Sequence, residues 1–225
     1  ANISAPNVLF PYSFRVLTSS PQNILTEYPN AISEAIFEQD TPSMPNEKGN
    51  IVLLNEQLIF VDSIGYTEDW HYPYLASVDG ISLERISYNQ PSGKSSNWAS
   101  AAETENYATP GYRNSQSVTA INGQGLSVSP KVIVPDANGI DDYTTISLSQ
   151  VGSMATITIY NLQGQTIKQI VSNSLVGSTS TYIWDGSDST GGVVALGHYI
   201  IVANTISANG TTQTFREKVV VGTGF

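Results

Sequence analysis

No cysteine occurs anywhere in the 225 residues, which removes disulfides, thiolate nucleophiles, zinc ribbons and iron–sulfur ligation together. Charge is scarce as well, at 12% of residues, and basic charge scarcest: nine Lys and Arg stand against nineteen Asp and Glu, for a net charge of −10. Such a surface repels phosphate backbones, so no nucleic acid partner is expected. The acidic residues are spread along the chain without forming a tail, which reads as solubility. No window approaches the ~20 apolar residues of a membrane span, so no transmembrane segment is expected. No basic, apolar leader opens the chain, as in a mature or trimmed protein. What is present is a 40% apolar content, enough for packed cores, among many Ser, Thr, Asn, Gln and Gly residues.

Runs of four to eight β-favouring residues separated by turn clusters dominate. Tyr12–Leu17 alternates, and Ile51–Leu54 with Leu58–Ile64 reads as a hairpin around Asn55-Glu56-Gln57. Ile81–Tyr88 also alternates. Two short segments look helical, Ala31–Gln39 and Asn97–Glu105. Ser115–Gln124 is polar and reads as a linker or the first edge of a second domain. Beyond it come seven β-runs: Lys131–Val134, Thr144–Leu148, Ala155–Asn161, Thr166–Ser172, Ser180–Trp184, Gly197–Ile206 and Thr212–Val221. Seven short strands at this spacing predict an immunoglobulin-like sandwich.

The segment 79–116 contains Gly80-Ile81-Ser82-Leu83-Glu84-Arg85, then Asn97-Trp98, then Ala108-Thr109-Pro110-Gly111 with Asn114-Ser115. In that order these motifs resemble the C-terminal half of bacterial lamin-tail domains, and the resemblance extends over roughly residues 7–116. The opening strands of that family have no counterpart before Tyr12. Either the chain is trimmed or a different segment completes the sandwich; an incomplete sheet is expected to leave an exposed edge, a ready site for pairing with another chain. The second half carries Pro135-Asp136-Ala137-Asn138-Gly139, Ile157–Asn161, Trp184-Asp185-Gly186 and Gly197-His198-Tyr199-Ile200. It resembles the immunoglobulin-like domain of flagellar hook-capping proteins, which recurs at the C-termini of secreted Bacteroidetes-type proteins. Gly197–Val221 is also similar to type IX secretion sorting domains. The resemblances imply an all-β chain of two immunoglobulin-like β-sandwich domains in tandem, 1–118 and 119–225.

Candidate chemistry is sparse. Asp136, Asn138, Asp141 and Asp142, with Gly139 between them, place oxygen ligands as calcium requires, but not at EF-hand spacing and with no closing Glu. Asp and Asn also favour turns by bonding their own backbone, and this is the preferred reading. No cofactor is expected; calcium is the one candidate ion. His71 beside Trp70 has no second partner of the right kind and reads as a packed or surface histidine. No G-x-S-x-G elbow is present, so no enzyme activity is expected. Glu84 and Arg85 point to opposite faces of a strand, with Arg85 expected on loop carbonyls or a carboxylate. Tyr66, Trp70, Tyr72 and Tyr74 form the densest aromatic cluster and are the candidate ligand-binding residues.

The function expected from these readings is a non-catalytic, extracytoplasmic adhesion or scaffold module. Its partner is a protein or glycan at the cell surface, and it can form a homo-oligomer through an open sheet edge. The alternative is a pair of accessory modules of a larger secreted nuclease or hydrolase, the second acting as a type IX sorting signal.

Overall fold

A computed structural model describes residues 9–118 and 125–223. Among the described residues the protein is all-β apart from one seven-residue helix and four 3-10 turns. It divides into two compact units. The N-terminal unit is Ala1–Ala101 with Glu105–Ser117, and the C-terminal unit is Ala102–Thr104 with Val118–Phe225.

Among the described residues the N-terminal unit contains three two-stranded sheets. Strands β1 (Val16–Thr18) and β2 (Ile36–Glu38) run parallel, bridged by helix α1 (Pro21–Glu27). Ser20 and Pro21 start that helix: proline at the first helical position needs no N–H and has its φ preset. Pro29 disfavours helical geometry at Tyr28, where the helix ends. Helical structure was expected at Ala31–Gln39 instead. There a 3-10 turn at Ser33–Ala35 gives way to β2, because Ile36-Phe37 pairs with β1.

Strands β3 (Lys48–Leu54) and β4 (Phe60–Thr67) form the expected antiparallel hairpin. Its tip runs from Asn55 to Ile59, held by the Asn55 carboxamide oxygen, which accepts from the Gln57 and Ile59 amides. Strands β5 (Leu83–Arg85) and β6 (Trp98–Ser100) pair antiparallel. The helical expectation for Asn97–Glu105 therefore fails at its centre: Trp98–Ser100 is extended, held by the ladder to β5, with 3-10 turns on either side.

The C-terminal unit is a two-sheet sandwich. Beyond the expected runs, it holds an additional strand, β7 (Gly125–Ser129); the proposed linker residues 119–124 lie outside the described residues. The remaining strands are β8 (Val132–Ile133), β9 (Thr144–Ser149), β10 (Ser153–Asn161), β11 (Thr166–Val176), β12 (Ser180–Trp184), β13 (Gly197–Ser207) and β14 (Thr212–Val221). One sheet has the order β11-β10-β13-β14-β8, the other β12-β9-β7. Alternation carries Ile146 and Leu148 of β9 inward to meet Ile157 and Ile159 of β10, Ile201 of β13 and Val219 of β14. Each such aliphatic side chain contributes about 1.5–3 kcal/mol of transfer free energy. Trp184 lies fully buried at the end of β12. Its indole N–H donates to the Ser187 carbonyl at 2.8 Å, and its ring meets Tyr199 edge-on at 5.3 Å. Gly186 turns at φ 72° in a space where a Cβ would lie 3.0 Å from Pro135, which accounts for the Trp-Asp-Gly triplet.

Candidate functional site

The residues of the N-terminal signature converge on one buried carboxylate. Glu84, on β5, is almost wholly enclosed. It accepts hydrogen bonds from the Thr109 hydroxyl at 2.5 Å, the Ser115 hydroxyl at 2.6 Å and the Gln116 amide at 3.0 Å. Asn114 donates to the Arg85 carbonyl, and the Gln116 carboxamide donates to the Ser100 carbonyl at 2.8 Å. Asn97 is equally occupied: its carboxamide donates to the Ser87 carbonyl and accepts from the Ser87 amide, both at 2.9 Å. Arg85 points the other way, donating to the carbonyls of Tyr88 and Gln90, with Asp62 at 3.8 Å. Gly111, at φ 84°, brings its turn against Ala35, whose Cβ would lie 3.0 Å from an added one. A buried charge is tolerable only when so surrounded by donors. These groups tie loop 109–117 to β5 and β6.

Asp62 accepts from the Ser92 hydroxyl at 2.5 Å. That bond chiefly, with the Ser63 amide and the Arg85 charge, holds its carboxyl below the usual aspartate range. His71 Nδ1 lies 3.0 Å from the Ser100 hydroxyl, which also accepts from the Tyr72 amide. The pattern is satisfied when the hydroxyl donates to a neutral ring, and burial pushes the His71 pKa down. Ser100 is only 2% exposed, so this Ser–His contact is internal packing.

The four aromatic candidates are not presented as one platform. Tyr72 is 4% exposed, packed edge-on against Tyr74 at 5.5 Å. Trp70 is half-buried beside Trp98, ring centroids 6.3 Å apart. Tyr66, also half-buried, lies across Gly49 and donates its hydroxyl to the Pro45 carbonyl at 2.9 Å. Tyr74 alone of the four is exposed, at 57%.

In the acidic loop the oxygens face backbone amides. Asp142 accepts from Ala137 at 2.7 Å and Gly139 at 2.6 Å, Asp136 from Asn138, and Asn138 from Ile140. Asp141 contributes its carbonyl to the Val134 amide and adopts φ 54°. Among the described residues no group of three or more His, Cys, Asp or Glu side chains is arranged to hold a metal.

Sequence reasoning overlooked the largest exposed feature, the apolar surface of the β3–β4 hairpin. Ile51, Val52, Leu53 and Leu54, then Leu58, Ile59, Phe60 and Val61, are each 42–77% exposed. Contiguous exposed apolar residues of this kind mark an interaction surface more often than a free one. The signal lay in the two unbroken runs Ile51–Leu54 and Leu58–Val61: without alternation, a strand is apolar on both faces and calls for cover on both.

No family model matches the chain, and no curated protein matches it. Solved structures do. FlgD from P. aeruginosa matches at 23% identity and a TM-score of 0.30, over 35% of this chain and 61% of that one. PorZ, a surface component of the type-IX secretion system of Porphyromonas gingivalis, matches at 19% identity and a TM-score of 0.29, over 44% of this chain and 11% of its own. Dimeric latent PorU from the same organism matches at 15% identity and a TM-score of 0.36, over 48% and 10%. The chain thus spans about six-tenths of the first and about a tenth of the other two.

Proposed function

We propose that this chain is a non-catalytic, extracytoplasmic binding module that holds a protein partner through the β3–β4 hairpin. The observation that carries this reading is the eight-residue apolar surface on a two-stranded sheet with no covering layer among the described residues. A hairpin alone is at best marginally stable in water, so apolar residues on both faces are better accounted for by a partner than by folding. The Ser–His contact and the buried carboxylate support a non-catalytic role, because both are engaged inside the fold. The dispersed aromatic cluster favours protein over glycan. The lamin-tail and hook-capping resemblances support a secreted or surface setting.

The test pairs a glycan array with a binding screen against secreted and outer-surface proteins, using the wild type and a Val52→Lys/Leu54→Lys variant. The expected result is no glycan signal and protein binding that the double substitution abolishes. A glycan signal removed by Tyr74→Ala, or turnover on nuclease and hydrolase substrates, would overturn the proposal.

A further inference from the structure

The open edge of β3 has a polarity that the ladder itself determines. The Glu68 amide donates to the Glu47 carbonyl, so residues 47 and 68 form a hydrogen-bonded pair just beyond the strand ends. Continuing the register through Gly49↔Tyr66, Ile51↔Ile64 and Leu53↔Asp62, the odd-numbered residues of β3 turn their N–H and C=O groups toward β4. Lys48, Asn50, Val52 and Leu54 therefore direct theirs away from β4, and β3 has no second neighbour among the described residues. This is a pairing edge of the kind proteins normally blunt with charge or proline, and here its centre is Ile51-Val52-Leu53-Leu54.

From this edge we infer that β3 pairs antiparallel with β3 of a second copy, with Val52 on the two-fold axis. The inference rests on the binding role proposed above and names its partner. Three features select a second copy. Outward-facing groups must meet outward-facing groups, and centring on Val52 sets Asn50 against Leu54 and Val52 against itself, all with outward polarity. The same register sets Ile51 against Leu53 and brings Lys48 opposite Glu56, so each end of the pairing carries opposite charges. Finally, residues 48–61 contain one Lys and one Glu and no other charge, while the whole chain carries −10. Two copies can approach along this segment without the repulsion felt elsewhere. The product is a four-stranded sheet, β4-β3-β3-β4, of a size that can stand where a lone hairpin cannot.

Leu58 belongs to the same surface. It holds φ 60°, a left-handed conformation that disfavours a residue with a Cβ, and is 77% exposed at the hairpin tip. A turn selected for folding alone would carry Gly or Asn here.

The test is the solution mass of the full chain by analytical ultracentrifugation over a dilution series into the micromolar range. The expected result is a reversible dimer of twice 24.1 kDa. Val52→Pro removes an outward N–H without breaking a β3–β4 bond and is expected to give monomer. K48E and E56K each are expected to weaken the dimer at least tenfold, and the double variant K48E/E56K to restore it. Because the protein has no cysteine, Val52→Cys adds a lone thiol. Facing itself at about 5.5 Å between Cα atoms, it should cross-link under mild oxidation, whereas Asn209→Cys in an exposed turn of the C-terminal unit should not. A monomer at every concentration, or a dimer indifferent to Val52→Pro and to both charge reversals, would overturn the inference. If the chain stays monomeric while Val52→Lys/Leu54→Lys still abolishes binding to another protein, the binding role stands and the second copy is the wrong partner.

Discussion

The two units solve the burial problem in opposite ways. In the C-terminal unit Ile133, Ile146, Leu148, Ile157, Ile159, Ile201 and Val219 are fully enclosed between two sheets. In the N-terminal unit the buried apolar residues are Ala35, Ala99, Ala101, Ala108 and Tyr72, with no Ile, Leu, Val or Phe among them in the described residues. Its most enclosed polar side chains are Glu84, Asn97, Ser100 and Gln116; aliphatics such as Val16, Leu17, Ile36 and Leu83 are only half-buried, and eight apolar residues of the β3–β4 hairpin are exposed. Apolar burial is non-directional and tolerant; a polar interior is specific and fails abruptly when one partner is lost. The difference separates a unit with an enclosed aliphatic core from one with exposed aliphatics on a two-stranded sheet, the surface proposed above to take a partner.

The largest expected effect tests the apolar interior. Trp184→Ala leaves a cavity between the sheets and should cost about 4 kcal/mol, read as faster amide exchange across β10 and β13. Next is the polar interior. Glu84→Gln keeps the shape but removes the charge from three charge-assisted bonds, and should cost about 2 kcal/mol, with the Gln116 amide exchanging first. If Glu84→Gln proved silent, the contrast between the two interiors would collapse. Leu58→Gly relieves a left-handed leucine and should stabilise the hairpin by about 1 kcal/mol, seen in slower exchange at Asn55 and Ile59. The same change should weaken binding, as expected where stability was traded for contact.

The smallest effect is the acid response. Burial sets the folded His71 pKa below its ordinary 6.5. The contribution is therefore full above 6.5 and is lost as pH falls from there through the lower folded value, since the unfolded chain binds the proton first. His71→Asn should flatten the fall in stability between pH 7 and pH 5 in thermal melts. Asp62 and Asp185, both lowered chiefly by serine hydroxyls, act on a separate limb below 3.8.

Legibility followed the same division. In the C-terminal unit the β-runs expected at Ala155–Asn161 and Thr212–Val221 fall on strands β10 and β14, because both are long stretches of β-favouring residues bounded by turn residues. β7 escaped because Gly125–Ser129 offers two aliphatic residues among serine and glycine. In the N-terminal unit β5 lies within the alternating stretch Ile81–Tyr88, whereas Trp98–Ser100 is a three-residue strand of Trp, Ala and Ser with no period to read. The partners of Glu84 lie 25 to 32 residues away in a loop, a distance over which no periodicity speaks. Arg85 on loop carbonyls and beside a carboxylate was foreseen, since its neighbour Glu84 had to face the other way. The aromatic cluster could be counted but not oriented: Tyr72 points inward because its own amide is tied to Ser100.

The Glu84 network draws its members from β5, β6 and the 109–117 loop, and Asp62 of the hairpin meets that frame through Ser92 and Arg85. Residues 49–61 can accordingly be rewritten as a cassette while the frame beneath is left intact. Exchanging that hairpin for another of the same length should transplant partner preference between modules without redesigning either one.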